Sequence, residues 1–154
     1  MLLPIRPRYA FPILRGDKKV EFRKTAFKTP PEYAVVYASS PVQRVVGYFS
    51  VSAVRVDLIE NLWRDYSDIG CIGREAFEDY YAESKTGLAL EVGDVVALSE
   101  PIPLEALGLD SRPPQSFAYV SSTVIQHIER EAERTHQCTE VGRCCAAAGT
   151  VACT

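Results

Sequence analysis

Alternating and continuous apolar runs predict the strands of this chain. In Lys18–Lys24 apolar side chains alternate with charged ones, and this two-residue period is typical of a half-buried strand. Tyr33–Ala38 is a continuous β-branched and aromatic run that predicts a buried strand, and Arg44–Val56 predicts a longer one. A short apolar run over Leu2–Arg6 predicts a first strand.

Two glycine positions add detail to these strands. Gly47 lies inside the longest predicted strand, where a glycine often marks a bulge or a close backbone approach. Gly93-Asp94 separates the apolar runs Gly87–Val92 and Val95–Ser99. We therefore expect a β-hairpin that turns at this Gly-Asp pair.

Helices are predicted where capping signals lie between the strands. Pro7 opens a short helix that ends at Gly16, and Thr123–Gln126 fits a capping box that begins a last helix running to about His136. Two acidic helices are expected over Leu58–Tyr66 and Arg74–Glu83. Short strands interrupted by small helices predict an α+β fold built on a compact mixed β-barrel.

The distribution of charge along the chain indicates more about a partner than the net charge does. The 154 residues predict one domain, and a net charge of −3 weighs slightly against a nucleic-acid partner. However, residues 1–28 carry eight basic and two acidic side chains, a net of +6. Residues 57–110 carry three basic and thirteen acidic side chains, a net of −10. An anionic partner is therefore expected on the first segment and not on the second.

The end of the chain differs in composition from the rest. Residues 1–136 are expected to form the domain, and 137–154, rich in Cys, Ala and Thr, a flexible tail. Four of the five Cys lie in that tail, which is unlike a secreted disulfide scaffold, so a cytoplasmic location is expected. A zinc site from tail residues lacks the paired Cys spacing of zinc modules, so no metal or cofactor is predicted. No apolar run is long enough to predict a membrane partner.

The segment Gly16–Arg23 carries the strongest candidates for a functional site. A helix ends at Gly16, Lys18 follows the turn, and Glu21 and Arg23 lie two residues apart on one face of the strand. Such a pair offers an acceptor and a planar donor fork to a base edge or a phosphate. The alternative is a surface ion pair that contributes little to stability.

Three sequence pieces together resemble a known family. Gly16-x-Lys18-x-x-Glu21-x-Arg23 resembles the G-x-K-x-x-E-x-R signature of the ASCH domain, a member of the PUA-like superfamily. Tyr37–Pro41 followed by Val46–Phe49 is similar to the strand–turn–strand motif of that family, and Pro113–Phe117 resembles a late motif of one subgroup. The resemblance implies a small mixed β-barrel of PUA-like/ASCH type with short helices packed at its ends.

The resemblance also implies a binding module with RNA-related or transcription-regulatory roles. RNA, single-stranded nucleic acid or a modified nucleotide would bind in a cleft, with a tyrosine such as Tyr9, Tyr37 or Tyr48 stacking on a base. The residues expected to contact the ligand are Arg6, Lys18, Glu21, Arg23, Lys24, Tyr37, Ser39, Ser40 and Gln115.

Two alternatives stay open. Some ASCH proteins are N4-acetylcytidine amidohydrolases or ribonucleases, so the chain is alternatively a small hydrolase with Lys18 and Glu21 as catalytic residues. Glu21 stands where the amidohydrolases have a threonine. In a third hypothesis the acidic helices dock a basic regulatory protein.

Overall fold

A computed structural model describes the backbone of residues 1–146 and the side chains of residues 1–134. The elements are β1 (Leu2–Ile5), α1 (Pro7–Arg15), β2 (Val20–Arg23), β3 (Tyr33–Ala38), β4 (Arg44–Leu58), α2 (Ile59–Tyr66), α3 (Arg74–Tyr81), β5 (Thr86–Ile102) and α4 (Ser122–Ala146). One 3₁₀ turn, Leu104–Leu107, follows β5. This mixture of strands and short helices confirms the predicted α+β class.

The five strands form one mixed sheet in the order β1-β3-β4-β5-β2. β1 pairs with β3 in parallel, and the other neighbours are antiparallel. β1 and β2 are the two ends of this order, and no backbone ladder joins them in the described part of the chain. The predicted closure of the sheet into a barrel is therefore not confirmed.

The predicted hairpin at Gly93-Asp94 is wrong. β5 runs without a turn from Thr86 to Ile102, and both of its halves pair with β4. Gly93 and Asp94 instead form an irregularity opposite Ser50, whose Oγ accepts a hydrogen bond from the Asp94 amide at 2.8 Å. A Gly-Asp pair between apolar runs fits a bulge as well as a turn, and only the distant partner strand distinguishes the two.

Gly47 has the role that its position in the sequence predicts. The register between β4 and β5 shifts next to it, and a Cβ at Gly47 would clash with the carbonyl oxygen of Val96. The glycine therefore permits a close approach of two backbones in the middle of the sheet.

The two faces of β2 have different environments. Val20 and Phe22 pack with α2 and α3 in an apolar cluster that includes Phe77 and Tyr81. Because side chains alternate along a strand, Glu21 and Arg23 lie on the opposite face. This alternation places the charged residues of the signature inside the molecule, towards β1.

The last helix extends further than the sequence predicts. α4 continues to Ala146, past the expected end near His136. Residues 147–154 of the predicted tail lie outside the described residues, as do the side chains of His136, Cys138, Cys144 and Cys145. The tail boundary and its flexibility therefore stay predictions. Within the described chain, no helix has the length and apolar character needed to cross a membrane.

Candidate functional site

Lys18 is buried because of the way α1 ends. Gly16 adopts φ 83°, a left-handed conformation suited to glycine, and its amide donates to the Ile13 carbonyl at the helix end. The amide of Lys18 then donates to the carbonyl of Pro12 at 3.1 Å, which turns the chain back over α1. As a result the Lys18 side chain points inward and is only 2% exposed.

The Lys18 ammonium has a polar partner and aromatic neighbours. Its Nζ donates to the carbonyl oxygen of Gly70 at 2.6 Å, in the loop between α2 and α3. The ring centroids of Tyr9 and Phe22 lie 5.5 and 5.2 Å from the same atom. These rings attract the cation through their π faces and exclude water from it.

Glu21 joins the two basic residues into one cluster. Its Oε2 lies 3.7 Å from Lys18 Nζ, and its Oε1 lies 3.3 Å from a terminal nitrogen of Arg23. Glu21 and Arg23 are both buried. The three signature side chains therefore converge, as a buried ion cluster and not as the weakly interacting surface pair of the alternative.

Arg23 connects the cluster to two distant parts of the chain. Its guanidinium donates to the carbonyl oxygens of Pro4, at 2.8 Å, and Ser116, at 3.1 Å. Its Nε is buried without a hydrogen-bond partner among the residues that the structure describes. The late Pro113–Phe117 motif thus meets the signature at this arginine.

The cluster carries more positive than negative charge. Burial lowers the pKa of Lys18 below its ordinary value, while the neighbouring Glu21 carboxylate acts in the opposite direction. One carboxylate faces both an ammonium and a guanidinium, so it neutralises only one of the two when both are charged. An anion or a carbonyl acceptor reaching the cluster would therefore be favoured.

Solved structures share this arrangement of strands and helices. A crystal structure of a serine-to-alanine variant of the ASCH protein from Zymomonas mobilis matches with a TM-score of 0.76 and 23% identity. The match covers 84% of this chain and 93% of that one. The chain has the ASCH domain fold. This finding confirms the resemblance that the signature motif indicates.

Curated proteins also match, at lower coverage in some cases. The chain is 24% identical over 131 residues to an ASCH domain-containing ribonuclease of Zymomonas mobilis, covering 82% of this chain and 88% of that protein. Two Ureaplasma parvum proteins, ATP synthase subunit alpha and large ribosomal subunit protein uL22, are each 28% identical over 78% and 68% of this chain. The chain spans only 15% and 33% of their respective lengths. No family model matches the chain.

The other predicted ligand residues of this ASCH fold lie in different environments. Ser39 is half-buried, and its Oγ donates to the carbonyl of Ile5 at 3.3 Å. Those that are exposed to solvent are Arg6, Lys24, Ser40 and Gln115. Arg15, another basic residue of the first segment, is exposed, and its Nε lies 3.0 Å from Asp17 Oδ2.

Two tyrosines expected to stack on a base do not offer a free ring. Tyr37 is 3% exposed and packs in an apolar cluster with residues such as Leu2 and Val45. Tyr48 belongs to the same cluster, and its hydroxyl donates to Glu129 at 3.0 Å. The prediction for Tyr37 is corrected because the strand face that carries it is covered by the core.

Tyr80 on α3 lies beside the cluster of Lys18, Glu21 and Arg23. The sequence patterns did not predict it as a site residue. Tyr80 is 37% exposed, and Lys24 Nζ lies 5.1 Å from the centroid of its ring. Burial raises the pKa of its hydroxyl, and the charges of Arg23 and Glu21 also act on it. The sequence signal for this residue is the tandem Tyr80-Tyr81 in an otherwise acidic helix. The hydroxyl of the second tyrosine, Tyr81, donates to the Arg23 carbonyl at 3.0 Å, which holds this end of α3 beside the cluster.

Proposed function

We propose that this chain is an ASCH-type module that binds RNA, single-stranded nucleic acid or a modified nucleotide at the cluster of Lys18, Glu21 and Arg23. The observation that carries the proposal is the pair of buried cations that share one carboxylate. Buried charges are costly unless they are paired, so a cluster with surplus positive charge favours an anionic or acceptor-rich ligand.

The surface beside the cluster supports the same ligand class. Lys24 and Tyr80 form an exposed cation–aromatic pair next to Arg23. A base stacks on an aromatic ring while a lysine contacts the adjoining phosphate, which is how many proteins bind unpaired nucleotides. The relative named a ribonuclease, which aligns with most of this chain, also favours an RNA-related role. A part in regulating transcription or RNA metabolism is included in the proposal.

Binding is tested by fluorescence anisotropy with short labelled single-stranded RNA at several salt concentrations. We expect affinity to fall steeply as salt increases, with a slope of about 0.7 for each phosphate contact. Lys24→Ala should remove about one such contact, and Tyr80→Ala should weaken binding with little change in the salt slope. Lys85→Ala, at another exposed lysine, is the matched control and should bind as the wild type does.

Two results would contradict the binding proposal. One is an affinity that does not depend on salt, because phosphate contacts release counterions when they form. The other is an equal effect of Lys24→Ala and Lys85→Ala, which would place the ligand away from the cluster.

A hydrolase is the second candidate, favoured by the lowered pKa of Lys18 beside Glu21. In this scheme Glu21 takes a proton from the attacking water, and Lys18 stabilises the developing oxyanion. The test is incubation with single-stranded RNA and with N4-acetylcytidine. Turnover that disappears in Glu21→Gln and Lys18→Met, with folding checked by circular dichroism, would support it, and no turnover on either substrate would exclude both reactions.

A further inference from the structure

A cavity separate from the signature cluster lies between α4 and the segment that precedes β3. Its volume is about 660 Å³, within the range of about 300–1,000 Å³ typical of small-molecule sites. None of the predicted ligand residues lines it, and the signature cluster is not part of it. The cavity therefore needs an explanation of its own.

Two exposed tyrosines border this cavity and are held in place by their neighbours. Tyr33 is 42% exposed, and its ring packs edge to face on Tyr48 with centroids 6.0 Å apart. Tyr119 is 53% exposed, and its hydroxyl accepts from the Thr29 amide at 3.1 Å and donates to the Thr29 carbonyl at 3.2 Å. Rings fixed in this way lose little conformational entropy when a flat ligand stacks on them.

The cavity is lined by several side-chain hydroxyls, two carboxylates (Glu32 and Glu129), one amide and one lysine ammonium. Glu129 on α4 lines it, with Oε1 occupied by the Tyr48 hydroxyl and Oε2 without a partner among the described residues. Gln126, one helical turn earlier, supplies an amide that both donates and accepts. Lys28 adds an ammonium to the lining.

We propose that this cavity binds the unpaired base of a nucleotide that carries an exocyclic amino group, such as cytosine. The base stacks against the tyrosines, its amino group donates to Glu129 Oε2, and the phosphate lies near Lys28. Uracil presents a carbonyl where cytosine presents the amino group, so it would place an acceptor against the carboxylate. The inference rests on the proposed function in one respect, namely that the ligand is a nucleotide.

The test is an NMR titration of the ¹⁵N-labelled chain with cytidine 5′-monophosphate and, separately, uridine 5′-monophosphate. We expect cytidine 5′-monophosphate to shift the amide signals of Lys28, Thr29, Glu32 and Tyr33 and those of residues 119–129. Uridine 5′-monophosphate should bind at least about tenfold more weakly. Glu129→Gln should abolish this preference, because the amide donates to the uracil carbonyl. Tyr33→Ala should weaken both nucleotides, whereas Phe11→Ala, an aromatic of similar exposure (38%) on α1, should leave both unchanged.

The outcomes separate this inference from the proposed function. Shifts confined to residues around Lys18 and Tyr80 would overturn the cavity as a nucleotide site and leave the proposed function standing. Shifts at the cavity without any near Lys18 would support the cavity and count against the cluster. Equal binding of the two nucleotides to the wild type, or a preference that survives in Glu129→Gln, would overturn the role of Glu129 and with it the proposed base class.

Discussion

The guanidinium of Arg23 donates to the carbonyl oxygen of Pro4 at 2.8 Å, and these residues lie on the two edge strands of the sheet. A side chain thus connects β2 to β1 where no backbone ladder does. Arg23 also shares Glu21 with Lys18, so the signature arginine contributes both to the proposed site and to the contact between the two edge strands.

Substitution of Arg23 should destabilise the protein strongly. Arg23→Ala leaves the Glu21 carboxylate with one cation fewer and two carbonyls without donors, so we expect a loss of about 3–5 kcal/mol in the free energy of unfolding. Arg23→Lys keeps the charge but loses the planar fork, so its free energy of unfolding should lie between those of the wild type and Arg23→Ala. Urea unfolding measures both, and Lys24→Ala at the exposed neighbour should change stability by about 0.5 kcal/mol or less. Equal midpoints for all three variants would show that the bond to Pro4 does not stabilise the fold.

Lys18 should make stability depend on alkaline pH. Burial lowers its pKa in the folded chain below the ordinary 10.5, so the unfolded chain binds more protons between the two values. The cost of burying the charged form is present in full below the lowered pKa and disappears as the pH rises towards 10.5. The free energy of unfolding of the wild type relative to Lys18→Met should therefore increase over that interval, measured by denaturant unfolding at several pH values. Lys19→Met, at an exposed neighbouring lysine, is the control, and the same change with pH relative to both variants would contradict the assignment to Lys18.

Gly47 should not tolerate even a methyl group. A Cβ there would clash with the Val96 carbonyl oxygen, which belongs to the backbone of the paired strand β5 and cannot move aside as a flexible side chain could. We expect Gly47→Ala to cost about 3 kcal/mol, the upper part of the range for overpacking. Gly73→Ala is the control, because a Cβ at Gly73 meets nothing within 4 Å. Thermal unfolding of the two variants measures the difference, and similar midpoints would mean that β4 and β5 separate easily at this point.

The contact between Tyr48 and Glu129 should be detectable by titration. Burial, followed by the bond to Glu129, raises the pKa of Tyr48 to about 12. Because the unfolded tyrosine loses its proton near 10, this residue's contribution to stability is present below pH 10 and is lost as the pH rises towards 12. Tyr48→Phe should cost about 1 kcal/mol at neutral pH, and the difference should shrink above pH 10. A tyrosine absorbance titration that is unchanged in Tyr48→Phe near pH 12 would refute this assignment.

Much of the local structure follows from the sequence alone. The continuous run of β-branched and aromatic residues predicts Tyr33–Ala38 with the bounds that β3 has, and the positive φ of Gly16 ends α1 where glycine was expected to end it. The alternation in β2 places Glu21 and Arg23 on one face. These features depend on backbone preferences and on side-chain periods of a few residues, which are written in the order of the amino acids.

The tertiary structure decided which segments meet and which charges are buried. The same apolar pattern around Gly93 fits a hairpin or a bulge, and β4 selects the bulge by pairing with both halves. The turn after α1 directs Lys18 inward, but the groups that surround its ammonium, the Gly70 carbonyl and two aromatic rings, are brought there by tertiary packing. The cavity beside Tyr33 likewise exists only where α4 approaches the segment before β3. Burial and pairing depend on residues far apart in the chain, so local patterns leave them undetermined until the elements pack.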